Sequence, residues 1–215
     1  MPDLKSLLGF CIFVEMKVIM PITSLDQLDL NATYTYADYL QWQLKERLEL
    51  LRGKIALMSP APSRKHQQIL VNLLLPIGNY LDRKSFFVYC APFDVRLPIN
   101  RGDRTEYSVV QPDLCVVCDE DKLDGKGCTG APDLVVEILS PGNTKKEMKD
   151  KFDLYEEADV QEYWIVDPER LHVLIFELND QGKYIGKPPI TKGDQLETSI
   201  LPNLVIEADK IFEKV

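Results

Sequence analysis

The sequence predicts an α+β or mixed α/β fold arranged around one sheet, and three observations carry that reading. Two long stretches keep apolar residues at helical spacing, short β-branched runs fall in groups between and after them, and turn residues punctuate the runs. At 215 residues the chain fits about one domain and is long enough to bury a sizeable core. Apolar residues make up 45% and charged residues 27%, the balance of a folded protein rather than a disordered one.

The first twenty residues stand apart. Residues 7–14 are apolar, but Glu15 and Lys17 interrupt them, and eight residues cannot span a bilayer, which takes about 20. Lys5 and the apolar run resemble the start of a signal peptide, yet no small-residue cleavage site follows. Met16 and Met20 stand just before the chain begins to look globular. Residues 1–30 therefore read as a leader, disordered or a mis-assigned start, and residues 31–215 as a single domain.

From Thr35 the pattern becomes regular. A short helix is expected over 36–42, then a β-hairpin in which 48–51 and 54–59 flank Gly53. Ser63 is a helix N-cap candidate for a helix over 64–80, with Ile69, Leu70, Leu73, Leu74 and Ile77 at helical spacing and Pro76 expected to kink it or end it early. Strands follow near 86–89 and 94–97, then two acid-bearing runs. A second long helix covers 144–157. Strands at 162–166 and 171–178 enclose the turn 167–170, short strands fill 184–207, and a last helical turn lies at 209–213. No internal repeat or low-complexity segment interrupts this order.

The formal net charge of −9 argues against a broad basic face that grips nucleic acid nonspecifically. Any DNA contact would be local, through residues such as Arg52, Arg64, Arg83, Arg101 and Arg104; ordinary solvated surface charge explains the same arginines. The five cysteines, at 11, 90, 115, 118 and 128, suit a reducing compartment better than a disulfide framework, which makes the cytoplasm the expected location. Cys115 and Cys118 form a lone C-x-x-C, but three residues apart on a strand they point to opposite faces and do not converge on a zinc ion.

The two acid-bearing runs are of one type. Gln111-Pro112-Asp113-Leu114-Cys115-Val116-Val117 and Ala131-Pro132-Asp133-Leu134-Val135-Val136-Glu137-Ile138-Leu139 are rich in β-branched and apolar residues, with a Pro near the start, where a strand best tolerates a missing N–H. Residues 118–127 between them are turn material, so an antiparallel hairpin is the simplest arrangement. If the strands close symmetrically, the register that sets Cys118 opposite Pro132 also sets Asp113 opposite Glu137. Directly opposed residues have Cβ atoms roughly 5 Å apart, whereas Asp133 and Glu137, on one strand, are about 13 Å apart. Asp113 and Glu137 can then share a divalent cation, Mg²⁺ or Mn²⁺, and Asp133 does not reach it. The plainer alternative is that these acids only mark strand ends, although like charges facing each other destabilise a sheet that holds no cation.

Metal-dependent cleavage of a phosphodiester needs carboxylates for the metal, a source of hydroxide and a cation near the developing charge. In one large nuclease superfamily that cation is most often a Lys two residues after the Glu; here the position is Leu139. The following helix offers a substitute. Its apolar face is Met148, Phe152 and Tyr155, and Lys151 lies on that face, while Lys146 and Lys149 point away and Lys145 is a second choice in the first turn. Lys151 either snorkels to solvent or meets the Asp113/Glu137 pair. His66 at the helix start is an accessory ligand or positioning residue, or else simply exposed. Glu49 in the first hairpin is a weaker accessory candidate. Tyr163 and Trp164 read as core.

These motifs in order resemble the Uma family of restriction-endonuclease-like proteins, within the PD-(D/E)XK nuclease superfamily. The resemblance rests on Pro112-Asp113, on residues 132–141, on Lys151 with Tyr155, and on Glu162-Tyr163-Trp164-Ile165-Val166-Asp167-Pro168. Residues 49–53 and Ser59-Pro60 with His66 resemble the N-terminal signature, and the likeness runs from about residue 36 to 207. Two departures stand out: Asn143 where the family often has Thr, and Asp159 where it usually has Gly. The resemblance implies a restriction-endonuclease-like core, a central mixed β-sheet flanked by helices, with the N-terminal hairpin and extra C-terminal strands. It also implies Asp113 and Glu137 as metal ligands and Lys151 as the catalytic lysine.

The expectation is a cytoplasmic, Mg²⁺- or Mn²⁺-dependent endonuclease acting on DNA, not tied to a membrane and working as a homodimer. The competing expectation is a catalytically silent nuclease fold that serves as a binding or regulatory module, which the acidic balance favours because a duplex repels a chain of this charge.

Overall fold

The two long helices and most of the β-rich runs fold where their periodicity places them; the strands at Ser108–Val110, Leu123–Asp124 and Gly127–Thr129 do not announce themselves in the sequence. The computed structural model describes residues 21–58, 61–82, 84–97, 106–142 and 144–215. Expectations for residues 1–20, Ser59, Pro60, Arg83, Arg101, Arg104 and Asn143 fall outside the described residues. In chain order the elements are α1 (Tyr36–Tyr39), β1 (Leu48–Leu51), β2 (Lys54–Leu57), α2 (Arg64–Leu81), β3 (Phe87–Cys90), β4 (Val95–Leu97), β5 (Ser108–Val110), β6 (Leu114–Val117), β7 (Leu123–Asp124), β8 (Gly127–Thr129), β9 (Leu134–Ile138), α3 (Lys145–Glu157), β10 (Glu162–Asp167), β11 (His172–Leu178), β12 (Tyr184–Gly186), β13 (Gln195–Glu197), β14 (Val205–Glu207) and α4 (Ala208–Ile211).

The fold is α+β, as expected, but the strands form more than one sheet. Among the described residues there are two six-stranded mixed sheets, β2-β1-β5-β4-β8-β7 and β12-β11-β10-β9-β6-β3, and a two-stranded pair, β13-β14. The single-sheet expectation fails because β5, a strand the sequence did not indicate, joins the first hairpin to β4 as a separate sheet, and residues 118–127 extend its edge. Read as a plain turn, that segment reaches across to the first sheet, where β7 pairs with β8 and β8 runs parallel to β4. A two-residue strand is too short to show as alternation in a sequence.

In the second sheet, alternation sends side chains to two cores. Leu114, Val116, Leu134, Val136, Trp164 and Val166 meet Ile69, Leu73 and Ile77 of α2. Cys115, Val117, Val135, Tyr163 and Ile165 face the other way, against Leu154 and Tyr155 of α3 and Val95, Leu97 and Val110 of the first sheet. The sheet is thus covered by α2 on one face and by α3 with the first sheet on the other. Cys115 and Cys118 fall into different clusters, as their spacing predicts.

Ser63 caps α2, its hydroxyl accepting from His66 N at 3.2 Å. Pro76 does not end this helix, which continues to Leu81. Ile69, Leu73, Ile77 and Leu81 are buried at four-residue intervals on both sides of the proline, and this anchoring outweighs one lost backbone bond. Thr144 caps α3 by accepting from Glu147 N at 3.1 Å. Past α3, Asp159 takes φ +62°, the left-handed conformation that glycine adopts most readily at this position. Residues 21–30, within the segment read as a leader, include a short 3-10 turn at Leu25–Gln27 and a buried Leu28, and Ile22 bridges to Trp42.

Candidate active site

The register of β6 against β9 builds the site. Leu114 pairs with Val136, Cys115 with Val135 and Val116 with Leu134. One step further, the same register sets Asp113 opposite Glu137, as symmetric closure predicts, even though β7 and β8 are spliced into the connection. Asp113 Oδ2 accepts Ile138 N at 2.7 Å. Asp133 is occupied elsewhere: its Oδ2 accepts Cys118 N at 2.7 Å, tying the strand ends together away from the acid pair.

Helix α3 brings the cation. Lys151 is buried, with Nζ 2.8 Å from Glu137 Oε1. One turn on, Tyr155 Oη donates to the same oxygen at 2.6 Å. The helix presents both residues on one face because they are four apart. Spacing alone left Lys151 between solvent and the acid pair; the fold puts it at the pair, while Lys145 and Lys149 are exposed.

Glu49 comes from the other sheet. It sits in β1, 3% exposed, with Oε1 accepting Gln111 N at 2.8 Å and lying 3.0 Å from Lys151 Nζ. The residue that local sequence ranks lowest is therefore central, and Lys151 joins carboxylates from two sheets. Its partners lie 62 and 102 positions away, so no local pattern signals the contact. Tyr155 and Gln111 were likewise missed as polar members of the site. For Tyr155 the four-residue step from Lys151 is the available signal; Gln111 offers only its place beside Pro112-Asp113.

His66 is not the exposed helix-start histidine of the simpler alternative. It is 5% exposed, and Nε2 lies 3.1 Å from Asp113 Oδ2. Its Nδ1 is buried without a hydrogen-bond partner among the described residues. Of the arginines named as candidate DNA contacts, the two among the described residues do not gather here: Arg52 pairs with Glu157, and Arg64 donates to the Lys214 carbonyl.

These contacts set the charge states. Burial pushes the Glu137 carboxyl up to about 7; Lys151 pulls against this, and the neighbouring Asp113 and Glu49 charges add to it. Burial lowers the Lys151 pKa, but Glu137 and Glu49 outweigh it and hold the ammonium well above the ordinary lysine value. Burial and the Glu137 charge raise Tyr155, which remains a donor. The cleft, about 70 Å³, is lined by Glu49, His66, Asp113, Glu137 and Lys151 among others.

Among the described residues no three His, Cys, Asp or Glu side chains are grouped as ligands of one ion. The donor set nevertheless fits a hard divalent cation. Asp113 and Glu137 offer carboxylate oxygens from adjacent strands, the chemistry Mg²⁺ and Mn²⁺ prefer. Three carboxylates stand against one lysine ammonium, an excess of negative charge that a divalent cation would offset.

A family model described as "Uma2: Putative restriction endonuclease" matches residues 36–209. An "Uncharacterized protein slr1290" of Synechocystis is 29% identical over 151 residues, covering 69% of this chain and 76% of the relative. Among solved structures, a "putative nuclease belonging to DUF820" from Anabaena variabilis superposes with a TM-score of 0.64 at 18% identity, covering 83% of this chain and 97% of that one. At this identity the likeness establishes the shared fold.

Proposed function

Because this chain belongs to the Uma2 family, described as putative restriction endonucleases, we propose that it is an endonuclease hydrolysing DNA phosphodiesters with Mg²⁺ or Mn²⁺. The observation that carries the reading is Lys151 lodged between Glu49 and Glu137, on the strand pair whose register sets Asp113 opposite Glu137. A carboxylate pair with a cation beside it supports that reading, since metal-assisted phosphodiester cleavage draws on both.

Asp113 and Glu137 are the residues to hold the metal. When bound, it supplies Lewis acidity toward the phosphate and a source of hydroxide at neutral pH. Lys151, fully protonated, offers its positive charge to the negative charge that grows on the phosphate in the transition state. Glu49 keeps Lys151 in the cleft from the opposite side, Tyr155 fixes one Glu137 oxygen, and His66 orients Asp113. The positive charge comes from a helix rather than from two residues beyond Glu137, where Leu139 stands.

A homodimer acting in the cytoplasm completes the proposal. The free cysteines at 90, 115, 118 and 128 suit a reducing compartment. Among the described residues no helix is long and apolar enough to cross a membrane.

The test is calorimetric titration of Mg²⁺ and Mn²⁺ into the wild type and an Asp113→Ala, Glu137→Ala double variant, beside a plasmid-nicking assay. Metal binding and metal-dependent nicking in the wild type, both lost in the variant, are expected. Nicking that survives the double substitution would sink the assignment. Neither binding nor nicking in the wild type would point instead to a silent nuclease-fold binding or regulatory module.

A further inference from the structure

Next to the acidic cleft lies a second cavity of about 360 Å³, with Tyr39, Trp42, Arg47 and Pro92 in its walls. Arg47 and Gln111 line both cavities, so the two are immediate neighbours. The volume falls within the range of small-molecule sites, roughly 300–1,000 Å³. The wall is aromatic and braced from behind. Trp42 meets Tyr34 edge-on at 5.1 Å and Tyr39 at 5.7 Å, and Tyr39 stacks on Tyr36 at 5.9 Å. These contacts fix the rings before any ligand arrives.

The end nearest the cleft is polar. Gln111, 9% exposed, accepts Arg47 Nη2 at 2.7 Å, donates from Nε2 to Asp94 Oδ1 at 2.8 Å and reaches Tyr39 Oη at 3.3 Å. The buried amide thus holds an exposed guanidinium at the boundary between the aromatic wall and the carboxylates. Flat aromatic faces with an adjoining guanidinium suit one class of occupant beside a phosphodiester site: a nucleobase, whose π-face stacks on the rings while the Arg charge meets the strand's phosphate.

We propose that the Tyr39–Trp42–Arg47 cavity receives an unstacked base of the DNA strand being cut, so that the substrate is single-stranded, flapped or distorted DNA rather than continuous duplex. This rests on the nuclease reading above. A base inside an intact duplex is stacked on both faces and cannot enter a walled cavity without being flipped out. A net charge of −9 likewise favours contact with one strand over a broad grip on a duplex.

The experiment measures affinity by fluorescence anisotropy for three probes: a labelled oligothymidylate, the same strand carrying abasic positions, and a duplex of equal length, with Ca²⁺ replacing Mg²⁺ to hold turnover back. The intact single strand should bind more tightly than the duplex. Abasic positions, and separately Trp42→Ala, should weaken it roughly 5- to 150-fold, the range for a lost base stack. Binding should also alter tryptophan emission, since Trp164 is fully buried and Trp42 is the other tryptophan. Trp42→Phe, which keeps an aromatic face, should retain most of the affinity, and the abasic probe needs no substitution at all. Equal affinity for intact and abasic strands, duplex binding as tight as single-strand binding, or no oligonucleotide binding would each overturn the proposal. Hydrolysis of bis(p-nitrophenyl) phosphate by the unmodified protein with Mn²⁺ separates the two readings. That phosphodiester carries no nucleobase, so its cleavage persists if the base cavity alone is wrong and is absent if the nuclease assignment is.

Discussion

Lys151 Nζ reaches Glu137 Oε1 at 2.8 Å, from a helix onto a strand, and the same ammonium lies 3.0 Å from Glu49 on the other sheet. Removing it leaves a buried carboxylate, Glu49, and a half-buried one, Glu137, without the cation they share. Stripping one partner from a buried ion pair costs about 3–5 kcal/mol, far more than the intact pair contributes. Lys151→Ala should lose stability on that scale in urea unfolding near pH 8, and less near pH 5, where a carboxyl takes up a proton. An equal loss at both pH values would mean that the acids are not coupled through Lys151.

The Glu137 carboxyl, raised from 4.5 to about 7, predicts a pH dependence of the metal-free protein. The folded state holds this proton more tightly than the unfolded chain, so the contribution is fully present below about 4.5 and lost as pH rises through about 7. At roughly 1.4 kcal/mol per unit it amounts to about 3 kcal/mol at most. Tm should therefore fall between about pH 5 and pH 8, and saturating Mg²⁺ should flatten the fall by favouring the ionised carboxylate. A metal-free Tm that does not change across this window would refute the assignment of Glu137.

His66→Phe tests the contact with Asp113. The ring keeps the buried volume and removes Nε2, together with an Nδ1 that has no partner among the described residues. Stability should change by less than about 1 kcal/mol, because an unsatisfied buried group disappears along with the bond. Mn²⁺ affinity should drop roughly 10- to 100-fold, the usual effect of removing a group that orients a metal ligand. Unaltered affinity in calorimetry would reduce His66 to a packing residue.

Glu162 is a buried acid with a different task. Its Oε1 accepts Trp164 Nε1 at 2.6 Å, and Oε2 accepts Thr198 Oγ1 at 2.9 Å, Ser199 N at 3.1 Å and Ser199 Oγ at 2.9 Å. Glu162→Ala leaves those donors unpaired inside the protein and should cost about 3 kcal/mol, with Mn²⁺ affinity unchanged at a temperature where the variant is folded. A change in metal affinity comparable to that of His66→Phe would place Glu162 in the site after all.

Asp159→Gly should stabilise the protein by about 0.5 kcal/mol, since the residue sits at φ +62° and glycine adopts that conformation without a steric penalty. The gain is small because glycine also loosens the unfolded chain. A lower Tm for the variant would show that the Asp159 side chain contributes something its geometry does not reveal.

The acid pair was legible because strand pairing is arithmetic: two runs of similar length and a symmetric closure put Asp113 against Glu137. Lys151 was legible in part: helical spacing put it on the inward face ahead of Lys145, but did not decide between solvent and the acid pair. Glu49 was only a weak accessory candidate, since nothing in a four-residue strand records a partner 102 positions away. His66 was ranked beside an exposed alternative because a helix start is normally solvated, and only docking of α2 against Asp113 buries it. Pro76 shows the converse, a local rule overridden by the packing on either side of it. The β7–β8 excursion escaped because its strands are shorter than any period they might display.

Glu49, Asp113 and Glu137 all precede Lys151 in the chain, and Lys151 is the group that ties the two sheets together at the cleft. During translation the three acids leave the ribosome first, mutually repulsive and without their cation, and β10, which β9 needs as a neighbour, emerges only after α3. A nascent or prematurely terminated chain that stops before α3 has the carboxylates but nothing to hold them together. A copy cut short before α3 therefore lacks Lys151, the cation on which the proposed cleavage depends.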